Sequence, residues 1–432
     1  MSRKRGATLR ALSNRNARLL TGGSLVSTTG TWLQLVAQNW LVLKLTGSTA
    51  AVGATVALQA LPAAALTLGG GLIVDRCSRR RLLLITQSAQ AVLASLLAVL
   101  CVTGAVQLWH VLALSFATGA VLAVDSPAGA AFSAEVVDAD DLPAMIALGG
   151  AVTAVGRVLG MALAGVVVAV AGPAAAFELN AVSFLGVIAA LSMMRPGELH
   201  VLAPIARARG QVRESLRMIV AQRELLTTVV LATVIACFGR NFQVTMAAMV
   251  IGPLQGGAGA YGTCSGAFAV GALLGACGAA LVGPPRPRHL LVVAACAGVL
   301  QVVAGLAPSL GTFVAILVPV AIGAVLIDTI IASTVQLATP GHARGRAAAV
   351  VGLAGMGGSA LGAVMLGALA DRFGGRAALV GGGVVVLAAA GIASTERYRL
   401  RTRAEGELAD VCVDPRLVRR MELEAAGAEQ VA

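Results

Sequence analysis

The chain has 432 residues, 58% of them hydrophobic and only 12% charged, with a mean hydropathy of +0.87 and a formal net charge of +12. Soluble domains carry about a quarter charged residues, so this much apolar side chain cannot be hidden in a water-facing fold, and lipid is the expected solvent. Nucleic-acid binding is excluded as a role for the positive charge: it needs stacking aromatics among surface basic residues, and aromatics are 3% here. Seven scattered cysteines without a CxxC, and four histidines far apart in sequence, support neither a disulfide framework nor a metal site.

The chain opens on a basic segment, 1–18, followed by an apolar stretch that runs to about Leu43. That is too long for a cleaved signal and is read as a first retained span. A helix needs ~20 apolar residues to cross a bilayer core. That template finds twelve spans, at roughly 19–44, 49–74, 82–103, 107–132, 146–170, 175–193, 225–251, 257–282, 289–307, 311–336, 347–369 and 377–394. The period-2 alternation of a barrel strand is absent. The expected fold is an all-α membrane protein of twelve transmembrane helices in two six-helix bundles, 19–193 and 225–394. A polar cytoplasmic linker, 194–224, joins them and includes a short surface helix, and a cytoplasmic tail, 395–432, follows.

Arginine and lysine placement sets the orientation. With a cytoplasmic N-terminus, inner segments hold 27 of the 32 basic residues, and the outer loops hold only Lys44, Arg372 and Arg376. Both termini are therefore expected in the cytoplasm of a multi-pass protein of the cell membrane.

The two bundles repeat short patterns in the same order. GTWLQ (30–34) matches GRNFQ (239–243), GAVLAVD ending at Asp125 matches GAVLID ending at Asp328, and Gly160/Gly165 match Gly362/Gly367. Such internal repeats are a mark of transporters.

Ionisable residues inside a span cost ~2.5–3.5 kcal/mol even on the mild insertion scale, and each needs a partner or a wet cavity. Four qualify as proton or charge-relay candidates: Asp125, Arg157, Arg240 and Asp328. At a rise of ~1.5 Å per residue, Asp125 lies ~12 Å and Arg157 ~16 Å from the cytoplasmic edge. An ion pair between them is expected, either as a strut or as part of a gate. Ser359 stands at the place matching Arg157, so Asp328 lacks an equivalent partner. It is assigned the proton-responsive role, with Arg240 as its alternating partner or as an anion-binding residue.

The stretch GGGLIVDRCSRRR (69–81) lies in the expected cytoplasmic loop between spans 2 and 3. It resembles the signature loop of the major facilitator superfamily, G-x-L-a-D-r-x-G-r-r, with Ile73 in the leucine place and Ser78 for the second glycine. GTWLQLVAQNWLVLKLTGS (30–48), AVDSPAGAAFSAEVV (123–137), GRVLGMALAG (156–165) and FELNAVSFL (177–185) extend the likeness over residues 20–395. They resemble the branch that contains enterobactin exporters and macrolide-efflux proteins. The resemblance implies a cytoplasmic gate of Gly71, Asp75, Arg76 and Arg79, in which Asp75 faces the positive N-terminal end of a helix in the opposite half. It also implies a central cavity lined by spans 1, 4, 7 and 10, where Gln34, Gln38, Asn39, Asn241 and Gln243 are substrate-contact candidates; interhelical hydrogen bonds are the alternative for each. Ser115 stands where many proton-driven relatives carry an arginine, so proton coupling does not carry over by analogy. The similar GALADRFGGR (367–376) lies on the outer side and is read as an ordinary turn.

The expected function is a secondary transporter working by alternating access, most simply a proton-driven exporter of a small hydrophobic or amphipathic compound. The alternatives are an uptake permease of the same fold, or a non-transporting sensor or assembly protein. No cofactor is expected beyond the proton gradient. The expected partners are a small-molecule substrate, the bilayer and anionic headgroups at the cytoplasmic arginines, and the protein is expected to be a monomer. With so few aromatics, a stacking cage for planar cargo is not expected. No GxxxxGK[ST] loop is present, which argues against an ATP-driven pump, and no catalytic dyad points to an enzyme.

Overall fold

The structure is a computed structural model that describes residues 12–200, 222–282, 287–339 and 344–413, with residues 10, 217 and 220. Within the helices it does not describe the side chains of 66–76, 280–282, 287–288, 344–346 and 403–413, nor a few single ones. The expected linker helix and the far tail lie outside the described residues.

Among the described residues the structure is helical, without strands. The helices are α1 (Arg15–Thr46), α2 (Thr49–Arg76), α3 (Arg79–Val102), α4 (Leu108–Glu135), α5 (Leu142–Met193), α6 (Arg223–Val234), α7 (Phe242–Ile251), α8 (Ala258–Val282), α9 (Pro287–Gly305), α10 (Leu310–Ala338) and α11 (Arg344–Val413). Among the described residues seven apolar stretches are long enough to cross a bilayer, and two of them, of 52 and 51 residues, are long enough to cross twice. These two are bent hairpins. α5 turns at Gly172 (φ 79°) before Pro173, and α11 turns at Gly374 (φ 87°). Positive φ is a region that glycine enters without steric cost.

Helix pairing shows a twofold pattern. In the first half α1 packs on α5, α2 on α4, and α3 on both α4 and α5; in the second half the α6–α7 rod packs on α11, α8 on α10, and α9 on both α10 and α11. The two most extensive cross-pairs between the halves are α2 with α11 and α5 with α8.

The apolar core is divided unevenly along the bundle. One cluster contains residues of both halves, among them Leu33, Val42, Met161, Phe177, Phe242, Met249, Tyr261 and Phe313. It sits toward the end where α2 and α8 begin, called here the far end. At the opposite, arginine-rich end the halves keep separate cores: Leu20, Leu83, Phe132 and Leu191 in the first, Ile235, Leu290, Ile331 and Val350 in the second. Among the described residues the halves share a core at the far end, and the clusters at the basic end each belong to one half.

The far-end contact is tight because small residues face one another. A Cβ on Gly262 of α8 would lie 1.9 Å from the Gly165 Cα of α5, and one on Gly53 of α2 would lie 2.1 Å from the Ala363 carbonyl oxygen of α11. Backbones approach this closely in membranes only through small residues. Trp40 stacks on Tyr261 with ring centroids 6.1 Å apart, adding a cross-half aromatic contact to the seal.

Candidate functional site

The helix carrying Arg240 is broken where that residue sits. After α6 the chain winds into a π-helical turn, Ile235–Gly239, and resumes as α7 after Asn241. A broken helix frees backbone carbonyls that lipid cannot satisfy. Asn241 Nδ2 donates to the Ala236 and Cys237 carbonyls at 3.1 and 2.8 Å, Gln301 donates to Phe238, and the Ser359 hydroxyl lies 3.2 Å from Asn241 Oδ1. The Asn241 amide is therefore engaged at the break. Single π-turns inside α-helices are frequent at functional sites. Here the turn sets Arg240 beside a cavity between the halves.

That cavity, of about 180 Å³, is lined by Arg157, Arg240 and Asp328 together with Trp32, Phe242 and Phe268. Arg240 Nη1 lies 2.6 Å from Asp328 Oδ1, and the two side chains are 42% and 43% exposed, so the pair is open to the cavity. Arg157 comes from the other half. Its guanidinium lies 5.7 Å over the Trp32 ring, its Nε is buried without a partner, and Asp328 lies within its electrostatic reach. A guanidinium over an indole face gains ~0.5–2 kcal/mol. Three aromatics of an aromatic-poor chain line this cavity, with Phe242 and Phe268 5.0 Å apart.

The expected Asp125–Arg157 pair is not formed. Asp125 accepts from the Thr86 hydroxyl and from Gln87 Nε2 on α3, while Arg157 turns to the central cavity. Asp125 lines a second cavity, of about 200 Å³, inside the first half, with Gln34 and Gln38. Gln34 accepts from Asn180 and Gln38 donates to Ser115, both within that half. Asn39 is 1% exposed and donates to Gln243 and Tyr261 of the second half, each at 3.4 Å. In this structure it takes part in the far-end contact between the halves, the interhelical alternative of its two readings. Gln243 lines the central cavity.

Of the expected cytoplasmic gate, the side chains of Gly71, Asp75 and Arg76 lie outside the described residues. Arg79 is described, and it is ion-paired to Glu135 at the end of α4 within its own half; both side chains are nearly buried, at 11% and 8% exposure. Arg80 donates to the Leu191 and Ser192 carbonyls. These arginines tie α3 to its neighbours, and in this structure Arg79, a residue of the expected gate, pairs within its own half.

The stretch read as an ordinary turn does more than turn. Asp371, just before the α11 bend, receives the backbone N–H groups of Thr49 and Ala50 at 2.7 and 3.1 Å and the hydroxyls of Ser48 and Thr49. One half thereby caps the N-terminus of α2 in the other, where the helix dipole is positive. Partial burial raises the Asp371 pKa, but the four donors outweigh it and hold it below the ordinary carboxylate value. The clue in the sequence is the Ala-Asp-Arg pattern itself, set aside there for its location.

The sequence matches the transmembrane secretion effector family over residues 7–422. No curated protein sequence matches it. Among solved structures, a bacterial homolog of the human lysosomal transporter Spinster, inward-facing and unoccupied, superposes with a TM-score of 0.69 at 14% identity, over 90% of this chain and 97% of that one. The nucleoside transporter NupG gives 0.66 at 12% identity over 90% and 98%. A POT family transporter in complex with a thioalcohol-conjugated peptide gives 0.71 at 11% over 89% and 96%. At these identities the likeness establishes the fold, that of the major facilitators.

Proposed function

Because the chain belongs to the transmembrane secretion effector family of major facilitator transporters, we propose that it is a proton-driven exporter of a small hydrophobic or amphipathic compound. It works by alternating access, with twelve spans in two halves that rock about the central cavity. The basic end with both termini faces the cytoplasm and the far end faces outward. It acts in the cell membrane as a monomer, with anionic headgroups at its cytoplasmic arginines and the proton gradient in place of a cofactor.

The observation that supports this reading is the division of the core among the described residues: one cluster shared across the far end, separate clusters at the basic end. Shared packing at one end and self-contained packing at the other is what a rocking pair needs in its inward-open state. The family's description as secretion effectors supports the outward direction. Cargo enters from the cytoplasm and rests its apolar body on Trp32, Phe242 and Phe268. Its polar group meets the Arg240–Asp328 pair. A proton reaching Asp328 removes the negative charge and frees Arg240, so proton and cargo compete for one pair, as exchange requires.

The test uses everted membrane vesicles, acidified inside by respiration, and a panel of amphipathic dyes such as acriflavine, Hoechst 33342 and rhodamine 6G. Wild type should accumulate at least one dye, a protonophore should abolish the accumulation, and Asp328→Asn should lose the dependence on pH. Accumulation insensitive to protonophore, or an unchanged pH profile in Asp328→Asn, refutes proton-driven export through this residue.

A further inference from the structure

The central cavity is not the only chemistry in the molecule. We propose that the cavity inside the first half is a subsite for a protonated amine that carries hydroxyl groups, with Asp125 as its counter-ion.

The lining argues for a cation. Among the described residues Asp125 is the sole ionisable side chain on the walls of this cavity and of the larger one adjoining it, of about 620 Å³. The other polar groups of its lining are uncharged, among them Thr28 and Gln34 on α1, Gln59 on α2, Gln90 on α3 and Asn180 on α5. Among the described residues Asp125 makes no ion pair, and its known hydrogen bonds, from Thr86 and Gln87, both end on Oδ1. A second orphan lies beside it. Gln87 is 9% exposed, and its Oε1 has no partner although its Nε2 is engaged with Asp125. A buried acceptor without a donor is costly, and an uncompensated carboxylate more so. Both deficits call for the same ligand chemistry: a positively charged hydrogen-bond donor.

The geometry selects an ammonium over a bare metal ion. A hard metal ion draws about six or more oxygens to within bonding distance. Here an N–H of Gln87 and the hydroxyl of Thr86 already occupy Oδ1, and the remaining wall is a spread of amides and hydroxyls around room for several heavy atoms. Such a wall suits the hydroxyls of an organic ligand whose ammonium sits at Asp125. Access is present, because the adjoining cavity shares Thr28, Gln87 and Asp125 and reaches toward Leu20, Ser133 and Leu191 at the basic end. A proton on Asp125 removes the only negative charge of the site, so proton and amine exclude each other. That last step rests on the exporter reading; the binding itself does not.

The experiment titrates purified full-length protein near neutral pH with 2-amino-1,3-propanediol and with glycerol, which has the same skeleton with a hydroxyl in place of the ammonium. Sodium chloride at matched ionic strength is the third arm, and the readout is the thermal unfolding midpoint. A saturable rise with the aminodiol alone, weakened about tenfold or more in Asp125→Asn as a charge-assisted bond is lost, is the expected result. Equal shifts from glycerol make this an uncharged polyol site, equal shifts from sodium make it a metal site, and either overturns the proposal. So does an undiminished effect in Asp125→Asn. Should that variant not fold, the wild-type comparison of aminodiol with glycerol still decides. Amine selectivity without dye export refutes the exporter reading alone, whereas export without amine selectivity refutes this subsite alone.

Discussion

Asp371→Ala removes a carboxylate that one half uses to hold the other. The structure gives that carboxylate four donors, two backbone N–H groups and two hydroxyls, all at the first turn of α2. When the far end opens those donors return to water, so the loss is not four full hydrogen bonds. The comparable measured quantity is loss of an N-cap, ~0.5–2 kcal/mol, with ~0.3–1 kcal/mol from the charge at the helix dipole. Asp371 is exposed, and solvent screening trims the Coulombic part. A total of about 1–2 kcal/mol follows, or a factor of about 5–30 in the ratio of closed to open far end. Native Cys264 reports the change, since it is fully buried in the shared far-end core. With the other six cysteines replaced by alanine, Cys264 should react with a membrane-impermeant maleimide, added from outside, faster by that factor in Asp371→Ala than in the parent. An unchanged or slower rate refutes the assignment of Asp371 as a far-end latch.

The same contact has a definite pH signature. The closed-state pKa of Asp371 is lowered from the model-compound value of 3.8, so the latch has full strength above 3.8 and is lost as pH falls through the lower closed-state value. From neutral to mildly acid pH the latch is constant. A pH response of Cys264 labelling in that range should therefore persist in Asp371→Ala.

Two further substitutions test the scaffold. Glu135→Gln leaves Arg79 nearly buried without its partner and should lower stability by ~3–5 kcal/mol, read as a fall in the unfolding midpoint in detergent; a change confined to transport rate, with no loss of stability, returns Arg79 to the gate. Gly262→Ala puts a Cβ where the Gly165 backbone stands and should cost the closed far end ~1–3 kcal/mol, raising the Cys264 labelling rate; retention of the parent rate shows that α5 and α8 do not approach so closely.

Hydropathy and charge asymmetry made the helical membrane fold legible, because span length and loop charge are local properties of a chain. The repeats were legible for the same reason: GAVLAVD and GAVLID are strings. Partnerships were less so. Asp125 and Arg157 have compatible depths, but depth fixes one coordinate, and the direction each side chain faces around its helix decided against the pair. Composition misled about aromatics, since a 3% average says nothing of where Trp32, Phe242 and Phe268 converge. Asn39 and Asn241 illustrate the general difficulty: a polar side chain in a span can serve cargo, a helix break or a seam between halves. For Asn39 the choice depends on Gln243 and Tyr261, more than 200 residues away, and for Asn241 on a helix break that its own neighbourhood makes.

The halves repeat in packing but not in charge, and the asymmetry has a mechanical consequence. Arg240 and Asp328 belong to the same half, so their pair can survive rocking; Arg157 belongs to the other half and must move relative to both. With the halves drawn together around the central cavity, Asp328 faces two guanidinium groups; with them apart it faces one. Under the proposed alternating access, Arg157 is the element through which domain motion changes the charge felt at Asp328. Arg157→Gln keeps a hydrogen-bonding side chain in the cavity and removes that charge. Gradient-driven accumulation of dye in everted vesicles should fall about tenfold or more, the equivalent of ~1.4 kcal/mol of lost coupling. Exchange of dye across the same membrane without a gradient should continue, because the cavity and the Arg240–Asp328 pair remain. Equal loss of both activities makes Arg157 a cargo ligand or a structural residue, and equal retention of both removes it from the mechanism.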